Sequence, residues 1–244
     1  MDEELEKLFA IENDLIMKMD AQYDDFLVLD YIFHWKGNFN TGLKNLRENA
    51  KIVSKSKSKN KEVILKIHKN VRFYFYGLLQ IPYILDDHFQ KQNQIKTNPT
   101  LNKIYKRFLD KDANQLLLAI RHKVVHAILL DEYVTIVKPV SAKHYLEITL
   151  PHRTLQTLTT PNKRGKSILG TSGKFFERTF IGTSKGFIHL FTQFENDLKE
   201  FEQDFKKEFT KIYKNKFAEK RNLKIKLSNV KSKMKKQGII FVTE

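Results

Sequence analysis

The stretch Leu116-Leu117-Leu118-Ala119-Ile120-Arg121-His122-Lys123-Val124-Val125-His126-Ala127-Ile128-Leu129-Leu130 decides how the chain is read. At about 100° per residue, Leu116, Ile120, Val124 and Ala127 share one helical face. Leu118, Val125 and Leu129 fall on a different face, about 140–180° round from Ile120. A helix that is apolar almost all round is buried on more than one side. One side can meet the chain's own core, and a second copy of the same helix is the simplest occupant of the other. Arg121, His122 and His126 interrupt this apolar surface. Burying them without purpose or good partners is costly, which makes them the leading candidates for a functional site. A purely structural reading also fits, with both histidines satisfied in an interface and Arg121 snorkelling to solvent.

Outward from this segment the pattern stays helical. Leu5, Leu8, Phe9, Leu15, Ile16, Met19, Tyr23, Phe26 and Leu27 recur at three- and four-residue spacing, which predicts one long amphipathic helix over Asp2–Phe33. A shorter helix is expected over Thr41–Ile52, followed by the linker Ser54-Lys55-Ser56-Lys57-Ser58-Lys59. Glu62–Phe89 is strongly apolar and predicts a helix kinked near Gly77 and Pro82. Pro99 suits a first helical turn, and Thr100–Leu109 follows it. Asp112 and Gln115 resemble a capping box for a helix over Ala113–Leu130.

The pattern then changes. Tyr133–Val137 and Tyr145–Leu150 are β-prone runs around Lys138-Pro139-Val140-Ser141, consistent with a hairpin. Pro151–Gly182 holds four of the nine glycines and little periodicity. From Ser184 onward, Phe187, Leu190, Phe191, Phe194, Leu198, Phe201, Phe205, Phe209 and Ile212 form a second helical stripe, read as core rather than as a base-stacking platform. No internal repeat is present. The expected class is mainly α, divided into a helical domain at 1–131, a β-hairpin and basic-loop insertion at 132–182, a C-terminal helix packing on the bundle at 183–222, and a basic tail at 223–244 that ends in β-prone Ile239–Val242.

Composition narrows the function classes. The 244 residues carry 44 Lys plus Arg against 28 Asp plus Glu, a formal net charge of +16, with 41% hydrophobic residues. That apolar share supports a sizeable core and argues against wholesale disorder. There is no cysteine, which excludes disulfides and thiolate metal sites and points to a reducing compartment. Met1 to Glu6 is acidic and shows no signal-peptide pattern. The apolar run Val71–Leu85 contains Arg72, Gln80 and Pro82, and a membrane span needs about 20 apolar residues. A soluble, cytoplasmic protein with no membrane partner is therefore expected.

Charge is clustered. Residues 1–30 hold ten acids against two lysines, net −8, whereas residues 205–236 hold thirteen Lys/Arg against two acids, net +11. Smaller basic runs lie at 51–61 and at Lys163-Arg164-Gly165-Lys166 to Lys174. Such clusters in a chain with pI near 9.7 are the footprint of a polyanion binder. Only eight of the 44 basic residues are arginine, which favours point-charge contacts to phosphates over bidentate reading of bases.

Arg121-His122-Lys123-Val124-Val125-His126 is an arginine, four intervening residues and a histidine, with a polar residue directly after the arginine. This resembles the signature of the HEPN superfamily, the higher-eukaryote-and-prokaryote nucleotide-binding domains. Many of these are metal-independent endoribonucleases of toxin–antitoxin, abortive-infection and CRISPR effector systems. The resemblance covers residues 1–131, so a HEPN-like helical bundle is the expected architecture there. It implies His126 as acid/base, Arg121 as phosphate stabiliser, and His122 as a residue that orients Arg121 or contacts RNA. Lys123, Lys163, Arg164 and Lys166 are the expected RNA-binding cations. The implied partners are RNA, a second copy of the chain across the Arg121–His126 helix, and an antitoxin or other defence-system protein. No cofactor or metal is implied. The same features fit an alternative, a non-catalytic HEPN-like RNA- or nucleotide-binding module.

Other constellations are weaker. His122 and His126 have the spacing of a zinc-binding helical pair, but Lys123 stands where a zincin pattern needs glutamate. Before Gly165-Lys166-Ser167 a P-loop requires glycine at Thr160, and Gly173-Lys174 is followed by Phe175. Asp86-Asp87-His88 reads as a solvated helix end, and His34-Trp35 as packing at the end of the first helix.

Overall fold

The computed structural model describes residues 3–55, 61–127, 134–137, 145–148 and 185–239. Its helices are α1 (Glu3–Ala21), α2 (Tyr23–Lys55), α3 (Lys61–Lys91), α4 (Asn93–Thr97), α5 (Pro99–Leu109), α6 (Asp112–Ala127), α7 (Lys185–Ile212) and α8 (Lys214–Lys236). Strands β1 (Val134–Val137) and β2 (Tyr145–Ile148) pair antiparallel, with Val134 opposite Ile148. The class is mainly α. The connection 138–144, on which a hairpin turn would rest, lies outside the described residues, as do residues 56–59 of the expected Ser54–Lys59 linker, whose first two residues end α2. Residues 151–182 also lie outside them.

Several boundaries differ from the sequence expectation. The first long helix is broken at Gln22, whose N–H bonds to the Met19 carbonyl three residues back, a tightening that ends α1. In turn, α2 runs without interruption to Lys55, so the separate helix over Thr41–Ile52 is part of it. Gly37 and Gly42 are accommodated inside it. α3 continues through Gly77 and Pro82. Asn98 caps α5, its Oδ1 accepting from the Thr100 and Leu101 N–H groups at 3.0 and 3.1 Å. The Gln115 half of the expected Asp112/Gln115 capping box is not made, since Gln115 Oε1 accepts no hydrogen bond. Instead the Gln115 amide donates to the Leu109 carbonyl at 2.6 Å, satisfying the end of α5 rather than the start of α6.

Two compact units result, Met1–Tyr31 with Lys206–Glu244 and Ile32–Phe205. The second unit is organised by α7. Phe187, Phe191, Phe194, Phe201 and Phe205 are buried and meet rings from three other helices: Phe39 of α2, Phe75 and Phe89 of α3, and Phe108 of α5, with centroids 4.6–6.4 Å apart. Edge-to-face and offset pairs in this range add to the burial of apolar area. Carboxylates of α7 take cations from the same neighbours: Lys36 with Glu202, Arg47 with Glu195, Arg107 with Asp204, and Lys111 with Glu200.

In the first unit, Leu8 and Leu15 of α1 pack with Leu223, Val230 and Met234 of α8. The expected single helix over 183–222 stops at Ile212, turns at Tyr213, and resumes as α8. Residues 223–236, expected as part of a tail, are therefore helical. Their apolar residues recur every three or four positions among lysines, and that stripe is what α1 buries.

Two glycines of α2 test the packing. A Cβ at Gly37 would meet nothing within 4 Å, whereas one at Gly42 would lie 3.1 Å from Leu78 Cδ2. Gly37→Ala is expected to stabilise the protein by about 0.5–1 kcal/mol by relieving the entropy cost of a mid-helix glycine. Gly42→Val is expected to cost about 1–3 kcal/mol by overpacking against α3. Urea unfolding midpoints of the two variants check both signs.

Candidate functional site

α6 changes character along its length. Every residue from Ala113 to Ile120 is buried, Arg121 is half-buried and His122 is exposed, so the helix leaves the core at the start of the motif. Leu118 is only 5% exposed. The second apolar strip is thus covered at Leu118 by the chain itself, and this residue needs no second subunit. The side chains of Lys123, Val125 and His126, and all of Ile128–Leu130, lie outside what the structure describes.

α3 packs beside α6 and supplies the surroundings of Arg121. The Arg121 Nε–H donates to Gln80 Oε1 at 3.2 Å. The guanidinium carbon sits 3.6 Å from the centroid of the Tyr83 ring, close enough for face-on contact. Gln80 and Tyr83 are three residues apart and so share one side of α3. Cation–π attraction of this kind is worth about 0.5–2 kcal/mol, increasing as water is excluded. One edge and one face of the guanidinium are therefore held. Its two terminal amino groups have no hydrogen-bond or ion-pair partner among the described residues. A neutral amide and an aromatic ring orient this cation, and no described carboxylate neutralises it. Such a group is preorganised to receive an anion with two aligned oxygens.

No protein-family model, curated protein or solved structure matches the chain.

The described residues include only part of the predicted set. Arg121 and His122 lie at the exposed end of the buried segment of α6. Lys163, Arg164 and Lys166 lie outside the described residues. Among the described residues no group of three or more His, Asp or Glu side chains could hold a metal ion, and no helix is long and apolar enough to cross a membrane. Gln80 and Tyr83 were not singled out from sequence. Their signal is modest: Gln80 is a lone amide in the apolar run Val71–Leu85, and Tyr83 is 40% exposed beside buried Ile81 and Pro82.

Asp86-Asp87-His88 is not simply a solvated helix end. Asp86 is buried and accepts a hydrogen bond from the Tyr105 hydroxyl, joining α3 to α5. Asp87 pairs with Lys91 at 2.7 Å. Burial holds the His88 imidazole below its ordinary pKa despite the opposing charge of Asp87, which suits Nε2 to accept from the Gln92 amide at 3.0 Å. His34-Trp35 lies within α2, its rings 5.3 Å apart and edge to face, with His34 Nε2 3.0 Å from the Asn38 amide nitrogen. These contacts serve packing.

Burial, then the hydrogen bond to Asp86, pushes the Tyr105 hydroxyl well above its ordinary pKa, which is about 10. The folded state keeps this proton when the unfolded chain would release it. Its stabilisation is therefore complete below about pH 10 and is lost as pH rises further. Tyr105→Phe is expected to cost about 1–3 kcal/mol at neutral pH, because Asp86 loses its buried donor. Urea titrations at pH 7 and above pH 10 should also show a flatter alkaline decline in the variant.

Proposed function

We propose that the chain is a metal-independent endoribonuclease of HEPN type, a helical bundle carrying the β1–β2 pair as a hairpin insertion. The observation that carries this reading is the Arg121 guanidinium, anchored through Gln80 and Tyr83 and left without a carboxylate among the described residues. A fixed, unneutralised guanidinium beside solvent suits a phosphodiester. It offers two parallel donors to the non-bridging oxygens and stabilises the charge that builds there in the transition state.

In this reading the His126 imidazole takes the proton from the ribose 2′-hydroxyl as O2′ attacks phosphorus. An unperturbed imidazole titrates near about 6.5 and suits the task at neutral pH. The P–O5′ bond breaks, and a second imidazole returns a proton to the leaving 5′ oxygen. The products are a 2′,3′-cyclic phosphate and a 5′-hydroxyl, and no redox step or metal enters the balance. Arg121 and His126 stand about 140° apart around one helix, so a single copy does not aim both at one phosphate. Two copies of α6 facing across a twofold axis supply the second imidazole and make the site composite, hence a homodimer. With Gln80 and Tyr83 orienting Arg121, exposed His122 is left to contact RNA. Lys123, Lys163, Arg164 and Lys166 hold flanking phosphates. The biological role that fits is a cytoplasmic toxin or anti-phage effector held in check by an antitoxin.

RNA cleavage in EDTA tests this directly. Native protein is expected to cleave, and Arg121→Ala to lose about 10²–10³ in kcat. His126→Ala is expected to lose about 10²–10⁴. Tyr83→Leu, which unseats the guanidinium without removing it, is expected to lose about 10–100-fold. Binding without cleavage in all of these proteins would instead leave a non-catalytic RNA-binding module. Cleavage unchanged in Arg121→Ala would remove the reading altogether.

A further inference from the structure

α8 carries ten Lys or Arg and one acid, Glu219, in its 23 residues. Seven of these cations, Lys214, Arg221, Lys224, Lys226, Lys233, Lys235 and Lys236, are exposed. None of the seven makes an ion pair with an acid among the described residues. The second unit behaves differently: cations of α2, of α5 and of the α5–α6 connection meet carboxylates of α7. Charge complementarity with acidic α1 accounts for little of the excess, since α8 uses Lys231 to reach Glu12, at 3.6 Å.

Local helix energetics do not account for it either. Lys233, Lys235 and Lys236 lie in the last turn, where cations favour the dipole. Lys214 lies in the first turn, where a cation is unfavourable and an acid would help. Lys220 and Lys224, one turn apart, repel each other by a few tenths of a kcal/mol. The exposed lysines thus repel one another, and an external anion would relieve that repulsion.

The distribution of charge identifies the partner. Taking Leu223 as the origin and about 100° per residue, the buried stripe of Leu223, Val230 and Met234 spans about 40°. The seven exposed cations occupy an arc of about 200° on the remaining circumference, over a helix about 34 Å long. A helix that lies on a membrane needs an apolar face to embed, and the apolar stripe of α8 is already taken by α1. Exposed Ile225 stands alone among lysines. The outward face presents no Tyr, Trp or exposed Phe on which a base could stack. Nine of the ten cations are lysines, point charges that do not read base edges bidentately.

We infer that the outward face of α8 is a docking surface for the phosphate backbone of RNA, engaged without regard to sequence. That the polyanion is RNA rests on the proposed ribonuclease reading; that it is a phosphate polymer rests on α8 alone.

The test uses the full chain with Lys224→Gln, Lys226→Gln and Lys233→Gln combined, with Lys7→Gln on α1 as the control. The exposed positions and retained far-UV CD and melting temperature establish that the variant is folded. Affinity for a fluorescent RNA is measured from 50 to 300 mM salt, alongside a DNA of the same sequence and vesicles rich in phosphatidylserine. The triple variant is expected to bind RNA at least about tenfold more weakly, with the slope of log K against log salt shallower by about two for three lost phosphate contacts. The control keeps native affinity and slope. An unchanged slope in the triple variant overturns the inference. So does vesicle binding as tight as RNA binding and lost in the same variant, and so does a clear preference for DNA. Arg121→Ala separates this from the nuclease reading. If native protein never cleaves while the lysine variant still loses RNA binding, the docking surface stands and the nuclease falls. If cleavage depends on Arg121 while the lysine variant binds RNA as native protein does, the docking surface falls and the nuclease stands.

Discussion

A single row of phenylalanine rings on α7 holds the larger unit together. Phe191, Phe194, Phe201 and Phe205 are each buried, and each touches a ring contributed by another helix. Aromatic contacts are directional, so this row fixes not only that the helices associate but how each is rotated. α3 is pinned at Phe75, near its middle, and again at Phe89, near its end. Gln80 and Tyr83 lie between those pins. The precision with which a ring and an amide meet Arg121 therefore descends from packing on the far side of α3, where no functional residue sits. Rigid elements of this kind hold a site more accurately than loops do.

Local periodicity carried much of the fold into the sequence. The stripe on α7, the amphipathic α1 and the apolar α6 could be read from spacing alone, because each buries a face wide enough to repeat several times. What spacing missed depended on partners. Gly37 and Gly42 look like breaks, yet α2 passes through both, and at Gly42 the absent side chain lets α2 approach Leu78. Gln22 carries no breaking signal, but the chain turns there. α8 was hidden by its own lysines: Leu223, Val230 and Met234 are a thin stripe whose meaning appears only once α1 is known to cover it.

The candidate site was legible to a similar degree, for the same reason. Arg121 and His122 stand out because they interrupt an apolar helix. Gln80 and Tyr83 do not, since one amide and one of three tyrosines in an apolar run are compatible with many roles. Their role is a property of the α3–α6 pairing and cannot be read from α3 alone. Leu118 illustrates the opposite error. Its position on a second apolar strip suggested a partner subunit, whereas the chain's own packing already surrounds it. Asp86 is a similar case: its neighbours in sequence are those of a solvated helix end, and nothing local to it announces that Tyr105 arrives from α5.

The smaller unit joins α1 to α8, elements separated by most of the sequence. Leu15 and Leu223 are about 200 residues apart, so their meeting closes a very long loop. At ribosomal speeds of about 5–20 residues per second, the apolar edge of α1 would wait about 10–40 s for its covering helix to be synthesised. For that interval the nascent chain displays a greasy, acidic helix with nowhere to dock. Chaperones that shield emerging polypeptides would find their natural substrate there, and the final folding step would come only after translation has passed Met234.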